Sequence, residues 1–312
     1  MTARTDRITR AQTLMAQHGI DALLILTHDD YVYFFGEDRY QPRAIIPRQG
    51  KPMVIAFTAE ADDIRRRMGV DDVLVFGSVG QQLKDVIEVM RELEASKGGS
   101  PVVGMQLSWF EVPASLVGLF QQVNPRARVV DYAPVMDELR LIKEPGELEA
   151  MRGAARIAAI GMRAALATIR PGLTEIDIAA EAEYAMRKAG ATGTAVPIFV
   201  NSGVRLLGIH GTATEKRIEP GELVVIDIVP RYRDYLANLA RTAVVGEPTS
   251  EQTRLFEAYV AGQRAAIAAL RPGAKMAEVD AAVRKALTER GLAQYQVPGM
   301  SHGIGRASCR ER

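Results

Sequence analysis

The stretch GMRAALATIRPGLTEID at residues 161–177 returns in altered form as GQRAAIAALRPGAKMAEVD at residues 262–280. Each copy ends in an acidic–apolar–acidic triplet, EID at 175–177 and EVD at 278–280, and each is followed by a Val-Pro pair. The repeat indicates that one helix–turn–helix–strand unit is used twice, and neighbouring copies of such a unit bury a shared core. We therefore expect a domain with an internal pseudo-two-fold axis and a site at the seam between its halves.

The second copy of the unit is shorter than the first. The first continues past Val196-Pro197 into the segment that is richest in candidate ligands, whereas only 14 residues follow Val297-Pro298. After Gly305 the chain reads RASCRER, which is dense in charge and has no strand pattern. We expect this domain to be incomplete at its C-terminus, and residues 306–312 to be foreign or frame-shifted sequence.

Composition restricts the class of protein. The chain has 312 residues, with 39 basic and 38 acidic side chains and a net charge of +1, so no overall field attracts nucleic acid or anionic lipid. Its apolar runs are strand-length and its start has no apolar signal-peptide core. The only cysteine is Cys309, so disulfides do not shape the fold. We expect a cytoplasmic protein that binds neither nucleic acid nor membrane.

Hydrophobic patterning divides the chain into two domains. Up to about residue 139, short apolar strands alternate with helical patterns, which predicts a compact α/β domain. Its aromatic residues, such as Tyr31 and Phe34, are predicted to lie mainly in the core. A hinge around LRLIKEPGE at 139–147 follows, and then helices and strands of an α+β domain. We expect domains at 1–139 and 140–305, with the tail at 306–312. The predicted later elements are helices at 146–169, 250–270 and 276–290, a helix capped by Thr174, and strands at 194–200, 223–230 and 235–245.

Two residues on neighbouring predicted strands are candidate metal ligands. Asp227 is the single carboxylate in the apolar strand LVVIDIV at 223–229, and burying a lone charge there requires a metal, a cation or a hydrogen-bond network. Eleven residues on, Asn238 falls on the predicted antiparallel partner strand, where it could lie beside Asp227. A carboxylate and a carboxamide could share a metal, although two carboxylates would bind it better. A structural ion pair of Asp227 is the alternative.

Two histidines complete the set of candidates. His210 lies in the glycine-containing stretch GIHGT at 208–212, where an imidazole could transfer protons near neutral pH. The alternative is an ordinary surface histidine. His302 lies between small residues in SHGIG at 301–305, after the second Val-Pro pair, and is a candidate metal ligand. His18 and His28 lack such context and are predicted to be structural.

Taken together and in this order, these motifs resemble the pita-bread family of creatinases, prolidases, aminopeptidases P and methionine aminopeptidases. Residues 1–139 resemble the creatinase/prolidase N-terminal domain. The most specific part runs from His210 through EPGELVVID at 219–227 to Arg241-Thr242, and HGIG at 302–305 matches the later histidine motif of the family. The resemblance implies an α/β N-terminal domain followed by an α+β pita-bread domain.

The resemblance also implies roles for individual residues. In metallopeptidase members the positions of Asp227 and His302 bind metal, a second aspartate occupies the position of Asn238, and two later glutamates complete a dinuclear site. The histidine matching His210 lies beside the substrate and assists proton transfer. Two divalent ions, Mn, Co or Zn, would generate a bound hydroxide and polarise the scissile carbonyl of a peptide. Members of this kind are commonly homodimers, and residues 28–33 are the expected exposed contact with the partner.

Asn238 and the absent glutamates leave three functions open. The first is a hydrolase of peptide C–N bonds that is most like an Xaa-Pro dipeptidase or aminopeptidase P. The second is a metal-independent, creatinase-type hydrolase of a small amide or amidino compound. The third is a catalytically silent module that binds a peptide or a partner protein. Under each of them we expect the chain as given to be inactive, and we leave open that it binds no metal, because an amide bridges two cations poorly and the last ligands are missing.

Overall fold

The computed structural model of the chain describes residues 2–37, 39, 43–68, 70–76, 100–108, 112–208, 210–296 and 304. The predicted ligand His302, the second Val-Pro pair and the tail at 306–312 lie outside the described residues. The chain separates into two compact units, Met1–Glu144 and Pro145–Arg312. Among the described residues, no helix is both long enough and apolar enough to span a membrane.

The first unit is an α/β domain, as predicted. Its sheet has the order β4-β3-β2-β1-β5-β6; β1, β5 and β6 run parallel to one another, β3 and β4 are parallel, and β2 is antiparallel to both of its neighbours. The elements are α1 (Thr2–His18), β1 (Ala22–Ile25), α2 (His28–Phe35), β2 (Ala44–Pro47), β3 (Met53–Phe57), α3 (Ala61–Met68), β4 (Val73–Phe76), β5 (Val102–Met105), α4 (Ala114–Val123), β6 (Arg128–Asp131) and α5 (Ala133–Leu141).

Both faces of this sheet are covered, and β1 shows how. Leu23 and Ile25 pack into one hydrophobic cluster with residues of α1, α2 and α5, whereas Ala22 and Leu24 pack into another with Phe120 of α4. Successive side chains of a strand point to opposite faces, so a run of buried residues predicts helices on both sides. The continuous apolar strands in the sequence reflect this arrangement.

The prediction that residues 28–33 form an exposed surface for contact with a partner is wrong, because most of them are buried. These residues belong to α2, whose cap Thr27 accepts a hydrogen bond from the Asp30 backbone, and Tyr31 and Tyr33 are each only 1% exposed. His28 alone of this stretch is exposed. The prediction that the aromatic residues lie in the core is confirmed, because Tyr31, Tyr33, Phe34 and Phe35 all belong to one hydrophobic cluster.

A buried ion pair ties α2 to α5. Arg140 donates to Asp30 Oδ1 at 2.7 Å, and Tyr132 and Thr27 donate to Asp30 Oδ2 at 2.8 and 2.7 Å. Burial lowers the pKa of Arg140, but the charges of Asp30 and its neighbours outweigh this and hold the pKa above its ordinary value. Burial and the Asp30 charge also raise the pKa of Tyr132. Both side chains therefore keep their ordinary protonation across the neutral range.

The second unit is built from two antiparallel sheets and two helix pairs. One sheet has the order β12-β9-β8 and the other β11-β10-β7. The elements are α6 (Pro145–Thr168), α7 (Glu175–Lys188), β7 (Gly193–Thr194), β8 (Phe199–Ser202), β9 (Leu223–Ile228), β10 (Pro230–Tyr232), β11 (Tyr235–Leu236), β12 (Leu239–Val244), α8 (Ser250–Ala269) and α9 (Met276–Thr288).

The predicted helices of this unit are confirmed, and their ends follow capping rules. Thr174 caps α7 in a reciprocal box with Asp177, as predicted for Thr174, and Thr249 caps α8 in the same way with Gln252. Glu147 lies in the first turn of α6, where a carboxylate complements the helix dipole. Residues of α6, α7 and β9, among them Ile157, form one hydrophobic cluster.

Burial corrects one detail of the internal repeat. An offset of 101 residues aligns buried Ile178 with buried Val279 and buried Met186 with buried Leu287. The same offset aligns the glycines at 190 and 291 that end the two helices, both with positive φ. The triplets EID and EVD are similar in sequence, but with the offset of 101 residues the position of Glu175 corresponds to Met276.

We expect Arg140→Met to destabilise the first unit by about 3–5 kcal/mol, because it leaves the Asp30 carboxylate buried without its cation. Urea unfolding followed by the fluorescence of Trp109, the only tryptophan of the chain, measures this. Arg65→Met is the control, since Arg65 pairs with Asp62 at the surface and such pairs contribute up to about 1 kcal/mol. Equal effects of the two substitutions would contradict the assignment.

From the environment of Glu222 we predict that the second unit loses part of its stability in acid. Burial acts to raise the pKa of Glu222, but hydrogen bonds from Lys216 Nζ and the Glu219 backbone lower it below its ordinary value. A carboxyl with a depressed folded pKa stabilises the fold above its unfolded pKa, about 4.3, and loses that contribution as the pH falls through the folded pKa.

Glu222→Gln should therefore lower Tm at pH 7, and the gap to the unsubstituted chain should shrink as the pH falls from about 5 to 3. Circular dichroism melting across this range measures the gap. Glu181→Gln, a neutralisation on the exposed surface of α7, is the control and should change Tm little. A gap that stays constant with pH would show that lost packing, rather than charge, causes the effect.

Candidate active site

The candidate site begins at β9, whose two faces differ in burial. Val224, Ile226 and Ile228 are fully buried, whereas Leu223, Val225 and Asp227 are only partly buried. The alternation places the carboxylate on the face of the strand that points away from the core of α6 and α7. Its Oδ1 atom is nevertheless buried. Asp227 thus lies where a charge is partly shielded from water, within reach of residues on the same face.

The strand register identifies those neighbours. Asp227 is paired with Phe199 on β8 and with Ala240 on β12. Side chains of directly paired residues lie on one face of an antiparallel sheet. Phe199 and Ala240 therefore flank Asp227, one on each side.

Asn238 does not lie within the strand ladder that was predicted to hold it. The predicted strand at 235–245 is interrupted after Leu236, and β12 begins at Leu239, so Asn238 falls in the break with an exposed side chain. It lies two residues before Ala240, the register partner of Asp227.

A strained turn precedes the break. Arg233 and Asp234 have φ values of 48° and 61°, so both central residues of the β10–β11 hairpin adopt the left-handed conformation of a type I′ turn. The hairpin is fixed to α6, because the Tyr235 hydroxyl donates to Glu147 at 2.7 Å. A Cβ at Gly153 would lie 2.3 Å from the Tyr232 ring. These contacts position the chain that leads to Asn238.

His210 lies beside the ring of Phe199. Its exposed imidazole is 5.7 Å from the Phe199 ring, centroid to centroid, with the rings tilted by 56°. Gly211 N donates to Gly208 O, which closes a turn with His210 as its third residue. Phe199 is therefore the register partner of Asp227 and also the residue whose ring His210 contacts.

The sequence did not single out Glu175, the first residue of α7, which is 0% exposed. Its Oε1 accepts hydrogen bonds from the backbone and hydroxyl of Ser202, both at 2.9 Å, and its Oε2 from the backbone and hydroxyl of Thr214, at 3.1 and 2.7 Å. Arg205 Nε donates to both oxygens, at 3.2 and 3.0 Å. The signal in the sequence was weak, because an acidic residue at a helix N-terminus is ordinary.

The residues that the structure describes include few candidate metal ligands. No group of three or more histidine, cysteine, aspartate or glutamate side chains that could hold a metal occurs in the described part of the chain. Asp227 is the anionic candidate there, Asn238 offers a neutral amide oxygen, and His302 lies outside it. These donors fit a divalent ion in kind, since carboxylate and amide oxygens both bind hard cations, but they are short of charge for two ions.

A pocket of about 540 Å³ lies between the β9–β12 pair and α8. Val225 and Thr242 contribute to it from the sheet, and Phe256 and Tyr259 from α8, while neither Asp227 nor His210 is part of its lining. The lining is mostly apolar. Although large pockets often mark active sites, the two candidate residues Asp227 and His210 are associated with Phe199 instead.

The two units match two family models. Residues 7–142 match the creatinase/prolidase N-terminal domain, and residues 149–311 match metallopeptidase family M24. An Xaa-Pro dipeptidase of Pyrococcus horikoshii is 27% identical over 311 residues, which is 98% of this chain and 83% of the relative. An uncharacterized peptidase of Bacillus subtilis is 28% identical over 302 residues, 96% of this chain and 82% of the relative.

Solved structures agree with this assignment. An Xaa-Pro dipeptidase from Bacillus anthracis superimposes with a TM-score of 0.86 at 26% identity and covers 99% of this chain and 84% of its own. A prolidase from Pyrococcus furiosus gives a TM-score of 0.82 at 26% identity, over 95% of this chain and 83% of its own. The second unit therefore has the predicted pita-bread fold. The chain belongs to metallopeptidase family M24, whose members use divalent metal ions, and is a peptidase of the prolidase and aminopeptidase P kind with a creatinase-type N-terminal domain.

Proposed function

We propose that the natural protein hydrolyses the peptide bond before proline in short Xaa-Pro peptides. The names of its relatives support this substrate, because several of them are Xaa-Pro dipeptidases. The observation that carries the proposal is the arrangement around Phe199, with the Asp227 carboxylate paired beside it on the sheet and the His210 imidazole against its ring.

We assign the metal-binding roles to Asp227 and His302, with Asn238 at a ligand position that it fills poorly. The complete protein would bind two divalent ions, Mn, Co or Zn. Such ions supply Lewis acidity, which activates water and polarises the scissile carbonyl. Asp227 can contribute an anionic oxygen because its face of β9 is open to the site while its Oδ1 is shielded from bulk water. Partial shielding strengthens the attraction between a carboxylate and a cation.

His210 serves proton transfer in this scheme. Its imidazole is exposed on one side and contacts Phe199 on the other, so a substrate could reach it without displacing core residues. Imidazole is the side chain best suited to exchange protons near neutral pH. We assign His210 to donate a proton to the departing amine or to orient the substrate carbonyl.

Asn238 favours one rival function. A neutral amide in place of a carboxylate reduces the affinity for at least one cation, as expected of a creatinase-type hydrolase that cleaves a C–N bond of a small molecule without metal. A third function, a silent module that binds a peptide, requires the same loss of ligands.

Asn238→Asp separates these functions. If the site is a metallopeptidase site, the added charge should tighten Mn²⁺ binding at least about tenfold, which corresponds to about 1.4 kcal/mol, and Asp227→Asn should weaken it. Isothermal titration calorimetry measures the affinity and the stoichiometry. Gln263→Glu, which adds the same charge on the exposed surface of α8, is the control and should leave Mn²⁺ binding unchanged.

Turnover of Xaa-Pro dipeptides before and after chelation completes the test. Hydrolysis that requires Mn²⁺ and rises in Asn238→Asp would support the proposal. Chelation-resistant cleavage of an amidino compound would favour the creatinase-type function. Tight binding of peptide without hydrolysis in either variant would favour the silent module.

We further propose that the protein acts as a cytoplasmic homodimer, as the family resemblance implies. Sedimentation velocity of the purified chain should give a mass near twice 34.0 kDa. A single monomeric species over a wide range of concentration would contradict the dimer.

A further inference from the structure

We infer that Glu175 is a positioning residue for His210. Through Ser202, Arg205 and Thr214, its buried carboxylate would fix residues 203–214, here called the His210 loop, and so hold the imidazole against Phe199. This inference rests on the proposed role of His210 in proton transfer. Glu175 itself touches neither the ring nor Asp227 in any hydrogen bond that the described residues form.

The first step is the saturation of the buried carboxylate. Each oxygen of Glu175 accepts three hydrogen bonds, two from one residue of the loop region and one from Arg205. A carboxylate with no exposure is stable only when paired and hydrogen-bonded to this extent. Burial of the Glu175 carboxylate would be unfavourable without these hydrogen bonds. With them, Glu175 joins the start of α7 to the end of β8 and to the end of the His210 loop.

The second step is the transmission from Glu175 to the turn of His210. Arg205 uses Nε for Glu175 and another guanidinium nitrogen for the carbonyl of Thr212, at 2.8 Å. Buried Asn201 donates to the carbonyl of Gly211 at 2.9 Å. Since Gly211 and Thr212 directly follow His210, two side-chain hydrogen bonds fix the backbone beside the imidazole.

Close packing at Gly211 also helps to fix the backbone beside His210. A Cβ built at Gly211 would lie 2.3 Å from Asn201 Oδ1, so the loop approaches β8 more closely than any residue with a side chain allows. Thr212 also forms an isolated bridge with Phe199, the residue against which His210 packs. The ring and its aromatic neighbour are therefore tied to each other through the backbone as well.

The internal repeat shows that the helix pair does not itself require this carboxylate. The position that corresponds to Glu175 in the second copy is Met276, which is 47% exposed. Both copies form the same pair of helices, yet only the first places a buried acid at the start of its second helix. In the first copy, the residues that bind this acid are Ser202, Arg205 and Thr214, which flank or belong to the His210 loop.

Glu175→Gln tests the inference with little change in shape. An amide nitrogen donates and does not accept, so the three groups that donate to one of the two carboxylate oxygens lose their acceptor. We expect hydrogen–deuterium exchange of residues 204–214 to rise at least about fivefold, as local opening becomes easier. The nuclear magnetic resonance signals of the His210 ring, assigned with His210→Gln, should shift. When the substitution is made in the natural protein, kcat for hydrolysis of an Xaa-Pro dipeptide should fall about tenfold to a hundredfold with KM within about twofold.

Two further variants keep the test decisive if Glu175→Gln folds poorly. Gly211→Ala should displace the turn without touching Glu175, and Arg205→Lys should keep the charge but lose the second hydrogen bond; both should raise exchange of the loop and lower kcat. Asp177→Asn is the control, because Asp177 accepts from Thr174 in the same first turn of α7 but lies outside the network. It should weaken the helix cap and leave loop exchange, ring signals and kcat unchanged.

Unchanged exchange and unchanged His210 signals in Glu175→Gln would overturn the inference. So would a loss of kcat in Asp177→Asn equal to that in Glu175→Gln, since the effect would then come from general destabilisation. If the natural protein hydrolyses no Xaa-Pro peptide, the proposed function fails. Exchange and ring signals then decide the positioning role on their own.

Discussion

The site depends on the placement of one carboxylate in a strand that is otherwise apolar. Asp227 occupies β9 among five aliphatic residues, and a strand of that composition forms only if its charge avoids the core face. The alternation of buried and partly buried residues along β9 satisfies this requirement. Because the register with β8 and β12 is set by the same alternation, Phe199 and Ala240 are brought beside Asp227.

A one-residue shift of β9 would reverse this placement. The carboxylate would then face Ile157 and the other residues of the core of α6 and α7, and Ile226 would face outward. The hydrophobic set of β9 thus determines not only that the strand is buried but also which side of the sheet carries the chemistry. The fold and the candidate site therefore share a single constraint in this short stretch of sequence.

The parts of the fold that were predicted correctly are those with a local physical cause. The helices of the repeat were visible because apolar residues recur with helical spacing and because Thr174 supplies a cap. Helix α2 was not recognised, since the sequence HDDYVYFF is rich in aromatic residues that favour strands. Burial on all sides of α2 overrides that preference, and it also removes residues 28–33 from the surface where a partner could contact them.

The break at Asn238 had a non-local cause. A continuous strand from 235 to 245 agreed with the sequence, but the turn at Arg233 and Asp234 and the contact of Tyr235 with Glu147 on α6 assign residues 235–236 to a different sheet. β12 then starts afresh at Leu239 to pair with β9. Asn238 therefore lies just outside the ladder that aligns Asp227 with Ala240, and it offers a neutral oxygen where a carboxylate would offer a charged one.

The candidate site was predictable only where a residue contradicted its surroundings. Asp227 stood out because a charge in an apolar run needs an explanation, whereas Glu175 looked ordinary at the start of a helix. Its importance emerges from residues 27 to 39 positions away, Ser202, Arg205 and Thr214, whose donors meet on its two oxygens. No periodic pattern or short motif encodes such a convergence of donors.

Two of the buried carboxylates that pair with arginine, Asp30 and Glu175, illustrate the difference between stabilising a fold and preparing a site. Asp30 and Arg140 are both almost fully buried, and their hydrogen bonds end on side chains within the core of the first unit. Glu175 is equally buried, but Arg205 is 32% exposed and continues to the backbone beside an exposed histidine. A buried charge that only stabilises has no need of a partner that reaches the surface. The second pair connects the interior to a loop whose side chain can meet a substrate, and that connection is what a positioned catalytic group requires.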